Sequence, residues 1–130
     1  ILIDNGHGIQ TKGKRSPDST LLEYAYTREL ARRIVSILQS RGYDSELLVP
    51  EDDDIPLPER VRRTNAHCQS LGKANVILRK SHYAAVLTEN FFMDSHSDLE
   101  YLQSRAGKQA VVDTHAEGIM EWLRVESSTD

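Results

Sequence analysis

A four-residue recurrence is the strongest constraint on how this chain folds. From about Leu21 to Arg41 the apolar residues Leu22, Tyr26, Leu30, Ile34 and Leu38 return every fourth position, Arg28, Arg32 and Arg33 lie off that stripe, and Gly42 follows. This pattern predicts an amphipathic helix stopped by a glycine. Short apolar runs flank it, Ile1–Ile3 before and Glu46–Val49 after, and each reads as a strand. A strand, a long helix and a second strand make a parallel pair with a helical crossover. Pro58 suits the first turn of a second helix, which carries Val61 and Cys68 and closes at Gly72. Asn75–Leu78 and Ala84–Thr88 read as two further buried strands. The C-terminal part reads as helix over Asp98–Leu102 and from about Ala106 to Leu123, with Val111, His115, Ile119 and Trp122 on one face. The expected fold is therefore α/β, a mostly parallel or mixed sheet flanked by helices. A chain of 130 residues is long enough for one core and too short for two ordinary ones, so a single domain over 1–124 is expected, with a polar tail at 125–130.

One join breaks the alternation. Only Arg79–Tyr83 separates the last two strand-like runs, whereas a parallel crossover needs about a dozen residues or more. A hairpin would fit the length, but those residues include no Gly, Pro, Asn or Asp to make its turn. Either one run is not a strand or a segment is missing near Leu78–Arg79, and we take the second reading.

Charge and hydropathy exclude several classes of function. The net charge is -4, and no basic stripe alternates with aromatics, so no nucleic-acid partner is expected. No apolar run is long enough to span a bilayer, and no charged start followed by an apolar stretch marks a signal peptide. Cys68 is the sole cysteine, which rules out an internal disulfide. Nothing in the pattern sets an oligomeric state.

The residues that point to chemistry are few. His7 stands between Gly6 and Gly8 where the first strand ends. The two glycines are expected to let the backbone turn sharply and present the imidazole at the strand's carboxyl end, the edge where open α/β sheets place their sites. Glu23 lies near the start of the long helix, where a carboxylate is also favoured by the helix dipole alone. Together they are two of the ligand types used by zinc sites that keep one position open for water. Glu89 follows Ala85–Thr88 and precedes Asn90-Phe91-Phe92. A carboxylate at a strand end beside aromatics is expected to be partly desolvated, with its pKa raised toward the range useful for proton transfer. Lys12, Lys14 and Arg15 lie in an exposed polar loop, Gln10–Pro17. His67, His96 and His115 read as satisfied core or surface imidazoles, and Glu51–Asp54 as a solvated acidic loop that lacks the ligand spacing of a calcium site. No glycine-rich phosphate loop is present.

The ordered set Ile1–Gly8, Leu22-Glu23, Pro58–Asn65 and Ala85–Phe92 resembles the zinc-dependent N-acetylmuramoyl-L-alanine amidases of the Amidase_3 type. The resemblance implies a hydrolase that cleaves the amide between N-acetylmuramic acid and L-alanine in peptidoglycan. It implies Zn2+ as cofactor, His7 and Glu23 as two metal ligands, and Glu89 as the catalytic glutamate. Lys12, Lys14 and Arg15 would bind carboxylates of the peptide stem. It also implies work outside the cytoplasmic membrane, in the periplasm or cell envelope or after secretion. The family's third ligand, a histidine in a Ser-x-His motif after the Asn75-Val76-Ile77 strand, has no counterpart here: Ser81-His82 belongs by its neighbours to the later segment. If the 130 residues are complete, the alternative is a catalytically inactive amidase-like module that binds peptidoglycan.

Overall fold

The computed structural model describes residues 1–70 and 86–127. In chain order the elements are β1 (Leu2–Ile3), α1 (Glu23–Ser40), β2 (Glu46–Leu47), α2 (Leu57–Ser70), α3 (His96–Gln103) and α4 (Arg105–Ser127). β1 and β2 pair in parallel, Leu2 opposite Glu46 and Ile3 opposite Leu47, with α1 as the crossover. The fold is thus a small α/β domain, as the alternation of patterns predicts.

α1 is held at both ends by specific bonds. Its C-terminus closes in a Schellman motif: the Gly42 N–H donates to Gln39 O at 3.0 Å and the Tyr43 N–H to Leu38 O at 3.0 Å. Gly42 takes φ +86°, a left-handed conformation that only glycine enters without cost. The chain then returns beside β1, where the Glu46 N–H donates to Ile1 O at 3.0 Å and the Leu48 N–H to Ile3 O at 2.9 Å. Leu30, Ile34 and Leu38 of α1 pack against Leu99 and Leu102 of α3 and Val111, Val112, Ala116 and Met120 of α4. The apolar core therefore lies on the helical side of the molecule.

Three expectations change. The buried face of α4 is built on Val112, Ala116 and Met120 with Val111, while Trp122 is exposed. The helix meets α1 through a stripe one position round from the expected face. α4 also runs on to Ser127, through residues read as the start of a polar tail. Finally, Val86–Thr88, the described part of the Ala84–Thr88 run, form no strand, and Val86 and Leu87 are 84% and 76% exposed. The run has no ladder partner among the described residues, and without one an apolar stretch does not become a strand. Asn75–Leu78, the join at Leu78–Arg79 and His82 lie outside the described residues. Among those described, no helix is long and apolar enough to cross a membrane.

Candidate functional site

The end of β1 leads into Asp4-Asn5-Gly6-His7-Gly8, and the turn is made by an unexpected residue. His7 itself adopts φ +57°, while neither flanking glycine has a positive φ. An L-residue in this region is strained by about 1 to 2 kcal/mol, and such strain collects where a side chain must point in one direction. Gly8 is needed for a different reason. A Cβ there would lie 2.1 Å from Asp54 N, whereas one on Gly6 would meet nothing within 4 Å. The acidic loop after β2 therefore docks directly on the His7 turn and is not merely solvated. The Ile9 N–H donates to Asp52 O at 2.8 Å, the Asp54 N–H to Gln10 Oε1 at 2.7 Å, and Gln10 Nε2 to Asp53 Oδ1 at 2.7 Å.

Glu23 is the first residue of α1, preceded by Leu22, whose side chain makes no capping bond. The Glu23 backbone N–H is satisfied by Lys14 O at 3.0 Å, and Arg15 pairs with Leu22 in an isolated antiparallel bridge. The basic loop thus serves the site through its backbone, while the side chains of Lys12, Lys14 and Arg15 are exposed beside it. The Glu23 carboxylate faces the imidazole: His7 Nε2 and Glu23 Oε1 are 3.4 Å apart, with the side chains 31% and 25% exposed. That separation is long for an N–H···O hydrogen bond, which centres near about 2.9 Å. Two donors at 2.0–2.1 Å from one tetrahedral zinc would lie about 3.3 to 3.4 Å from each other. The separation matches both a direct imidazole–carboxylate ion pair and the spacing of two donors on one zinc ion, so these two groups are compatible in type and distance with a zinc ion. Among the described residues there is no group of three or more His, Cys, Asp or Glu that could hold a metal.

Two arginines brace this turn, and sequence reasoning gave neither a role at the site. Arg28 is fully buried although it lies off the apolar stripe of α1. Burial lowers its pKa, and Asp52, its Oδ1 3.6 Å from Nε, acts in the opposite sense. Arg60, on α2, is 7% exposed; its Nη1 donates to Asn5 O at 2.8 Å and pairs with the Asp4 carboxylate, and its Nε donates to Ile55 O at 2.7 Å. The signal that could have found them is the contrast between a long cationic side chain and the many backbone carbonyls left by short strands and long loops. Asn5 is 3% exposed, and both its amide atoms lack partners among the described residues.

Glu89 lies apart from the expected strand-end setting. Residues 86–90 are exposed coil, so the partial desolvation anticipated for its carboxylate is absent. The segment is tied to α4 by His115, whose Nε2 is 2.8 Å from Thr88 Oγ1 and whose Nδ1 is 2.7 Å from Val111 O. His115 is thus satisfied on both nitrogens, as expected.

The family model for Amidase_3, N-acetylmuramoyl-L-alanine amidase, matches residues 1–72, which carry β1, the His7 turn, α1 and α2. The chain belongs to this family. This amidase-family domain is also similar to the solved structure of the N-acetylmuramoyl-L-alanine amidase AmiC2 of Nostoc punctiforme, with a TM-score of 0.75 and 21% sequence identity over 95% of this chain and 96% of that one. No curated protein matches it. The structural likeness bears out the α/β fold; the family match covers the segment in which His7 and Glu23 meet.

Proposed function

We propose that the chain is a zinc-dependent hydrolase of peptidoglycan, cleaving the amide between N-acetylmuramic acid and L-alanine outside the cytoplasmic membrane. Family membership supports the reaction class and favours an enzyme over an inert wall-binding module. The observation that carries the metal reading is the His7 Nε2–Glu23 Oε1 separation of 3.4 Å, at the end of β1, in a turn that strains His7. His7 and Glu23 would hold the ion, which when bound supplies a Lewis acid for the scissile carbonyl and acidifies a water.

The chain's own residues do the rest. His7 would offer its Nε2 to the ion, the ring nitrogen that faces Glu23. Glu23 contributes an anionic oxygen and sits where the positive end of the α1 dipole favours it. Glu89 takes the proton of the attacking water and returns it to the departing L-alanine amine, a role worth roughly 100- to 10,000-fold in rate. The exposed Lys12, Lys14 and Arg15 bind stem-peptide carboxylates beside Glu23.

The test is release of free L-alanine amino groups from a muramyl-peptide. Chelation should abolish release and added Zn2+ restore it; activity indifferent to chelator would refute the metal. Glu89→Gln should lose at least 100-fold in kcat while binding zinc as the parent does, on the general acid–base range above. Full activity in that variant would remove Glu89 from the mechanism.

A further inference from the structure

Arg28 is the side chain that ties together the backbone beside His7 and beside Glu23. Its three guanidinium nitrogens all donate to backbone carbonyls: Nε to Glu51 O at 2.8 Å, Nη2 to Asp53 O at 3.2 Å, and Nη1 to both Tyr24 O at 3.1 Å and Gly6 O at 3.4 Å. Gly6 precedes His7 and Tyr24 follows Glu23, so one nitrogen joins the backbone on either side of the pair. Thr27 reaches the same two carbonyls, its Oγ1 3.2 Å from Gly6 O and 3.2 Å from Tyr24 O, and its single proton can be donated to either. The Arg28 side chain also fixes the Glu51 and Asp53 carbonyls, and the next residue, Asp54, is the one that abuts Gly8.

A buried cation is a poor way merely to fill space. Its desolvation is unfavourable, and the nearest carboxylate, Asp52, is 64% exposed. An apolar side chain of that size would pack without this cost. What a guanidinium adds is a planar set of donors in fixed directions, which a lysine cannot reproduce. We propose that Arg28 is a positioning residue that sets the separation and orientation of His7 and Glu23. The proposal rests on the reading of those two as the metal donors. Arg28 touches neither of them, nor any substrate; it acts through the Gly6 and Tyr24 carbonyls.

The experiment compares the parent chain with Arg28→Lys, Arg28→Met and Thr27→Val. Two readings are taken that a role in stability alone would not move in a folded protein. One is the nuclear Overhauser contact between His7 ring and Glu23 side-chain protons in metal-free protein; the other is Zn2+ affinity by chelator competition. Loss of a group bonded directly to a metal ligand weakens binding by about 10- to 100-fold; acting one bond further out, Arg28→Lys and Arg28→Met are expected to reach about 10-fold, together with loss of the contact, while core methyl shifts stay in place. Thr27→Val, which keeps the buried guanidinium, should weaken binding by a smaller factor, about threefold, in the same direction. If the arginine variants do not fold, Thr27→Val decides by the same two readings. Folded variants with the contact intact and zinc affinity within twofold of the parent would overturn the proposal. If the parent itself binds no zinc, the donor reading fails, and the proton contact alone decides whether Arg28 positions the pair.

Discussion

Gly6 and Gly8 look interchangeable on either side of His7, yet replacing each by alanine should have opposite outcomes. A Cβ on Gly8 would lie 2.1 Å from Asp54 N and 2.2 Å from Asp54 Cα, where ordinary contact begins at 3.4 Å. Both partners are backbone, so neither can swing aside, and the turn and the acidic loop must separate by more than an ångström. Separation breaks the bonds from Ile9 N to Asp52 O, from Asp54 N to Gln10 Oε1 and from Gln10 Nε2 to Asp53 Oδ1. Each contributes about 0.5 to 1.5 kcal/mol net, and retained overlap would cost about 1 to 3 kcal/mol instead, so Gly8→Ala should lose about 2 to 4 kcal/mol. For a chain of this size that is a fall in Tm of roughly 8 to 15 °C. Gly6→Ala adds a methyl to open space at a backbone conformation alanine tolerates, and should lie within about 0.5 kcal/mol of the parent. Thermal melts followed by circular dichroism measure both. Equal shifts for the two variants, or a Gly8→Ala melt within 2 °C of the parent, would refute the close approach.

The positive φ of His7 yields a second expectation: His7→Gly should be more stable than His7→Ala by about 1 kcal/mol in urea unfolding, because only glycine releases the left-handed strain. The start of α2 gives a pH dependence. Arg62, and then Arg63, hold the Glu59 carboxyl down to about 2, and Arg63 lowers that of Glu51. A pKa depressed in the folded state stabilises above the ordinary value of 4.5 and loses that contribution as pH falls toward 2. Melting temperature should therefore drop more steeply between pH 4.5 and 2 in the parent than in Glu59→Gln, and parallel curves would count against the Glu59–Arg62–Arg63 cluster.

The helices were legible because their signals are local. The period of α1, the left-handed Gly42 at its end and Pro58 in the first turn of α2 are each set by a few neighbouring residues. The meeting of His7 with Glu23 was legible as a pair of ligand types on successive elements. The setting of Arg28 was not, because periodicity places it on a polar face and says nothing of carbonyls arriving from residues 6, 51 and 53. The same limit applies to Val86 and Leu87: an apolar run states a preference for burial but does not say what would cover it. The glycines beside His7 misled for a related reason, since one of them answers to Asp54 and not to the turn it stands in.

The pairing of Leu2 with Glu46 and Ile3 with Leu47 has a consequence in time. Helices form from neighbours, whereas the arginine bonds that brace the His7 turn each close a long stretch of chain: Gly6 to Arg28, Glu51 to Arg28, Asn5 to Arg60. Closing such loops sacrifices chain entropy before any contact offsets it, so non-local pairings are the slow events of folding. A molecule with its helices wound and its two strands still apart has the residues of the site but not the site. Any capacity to bind or to cut should therefore appear last during refolding, behind the helical signal, as a mark that the chain has finished.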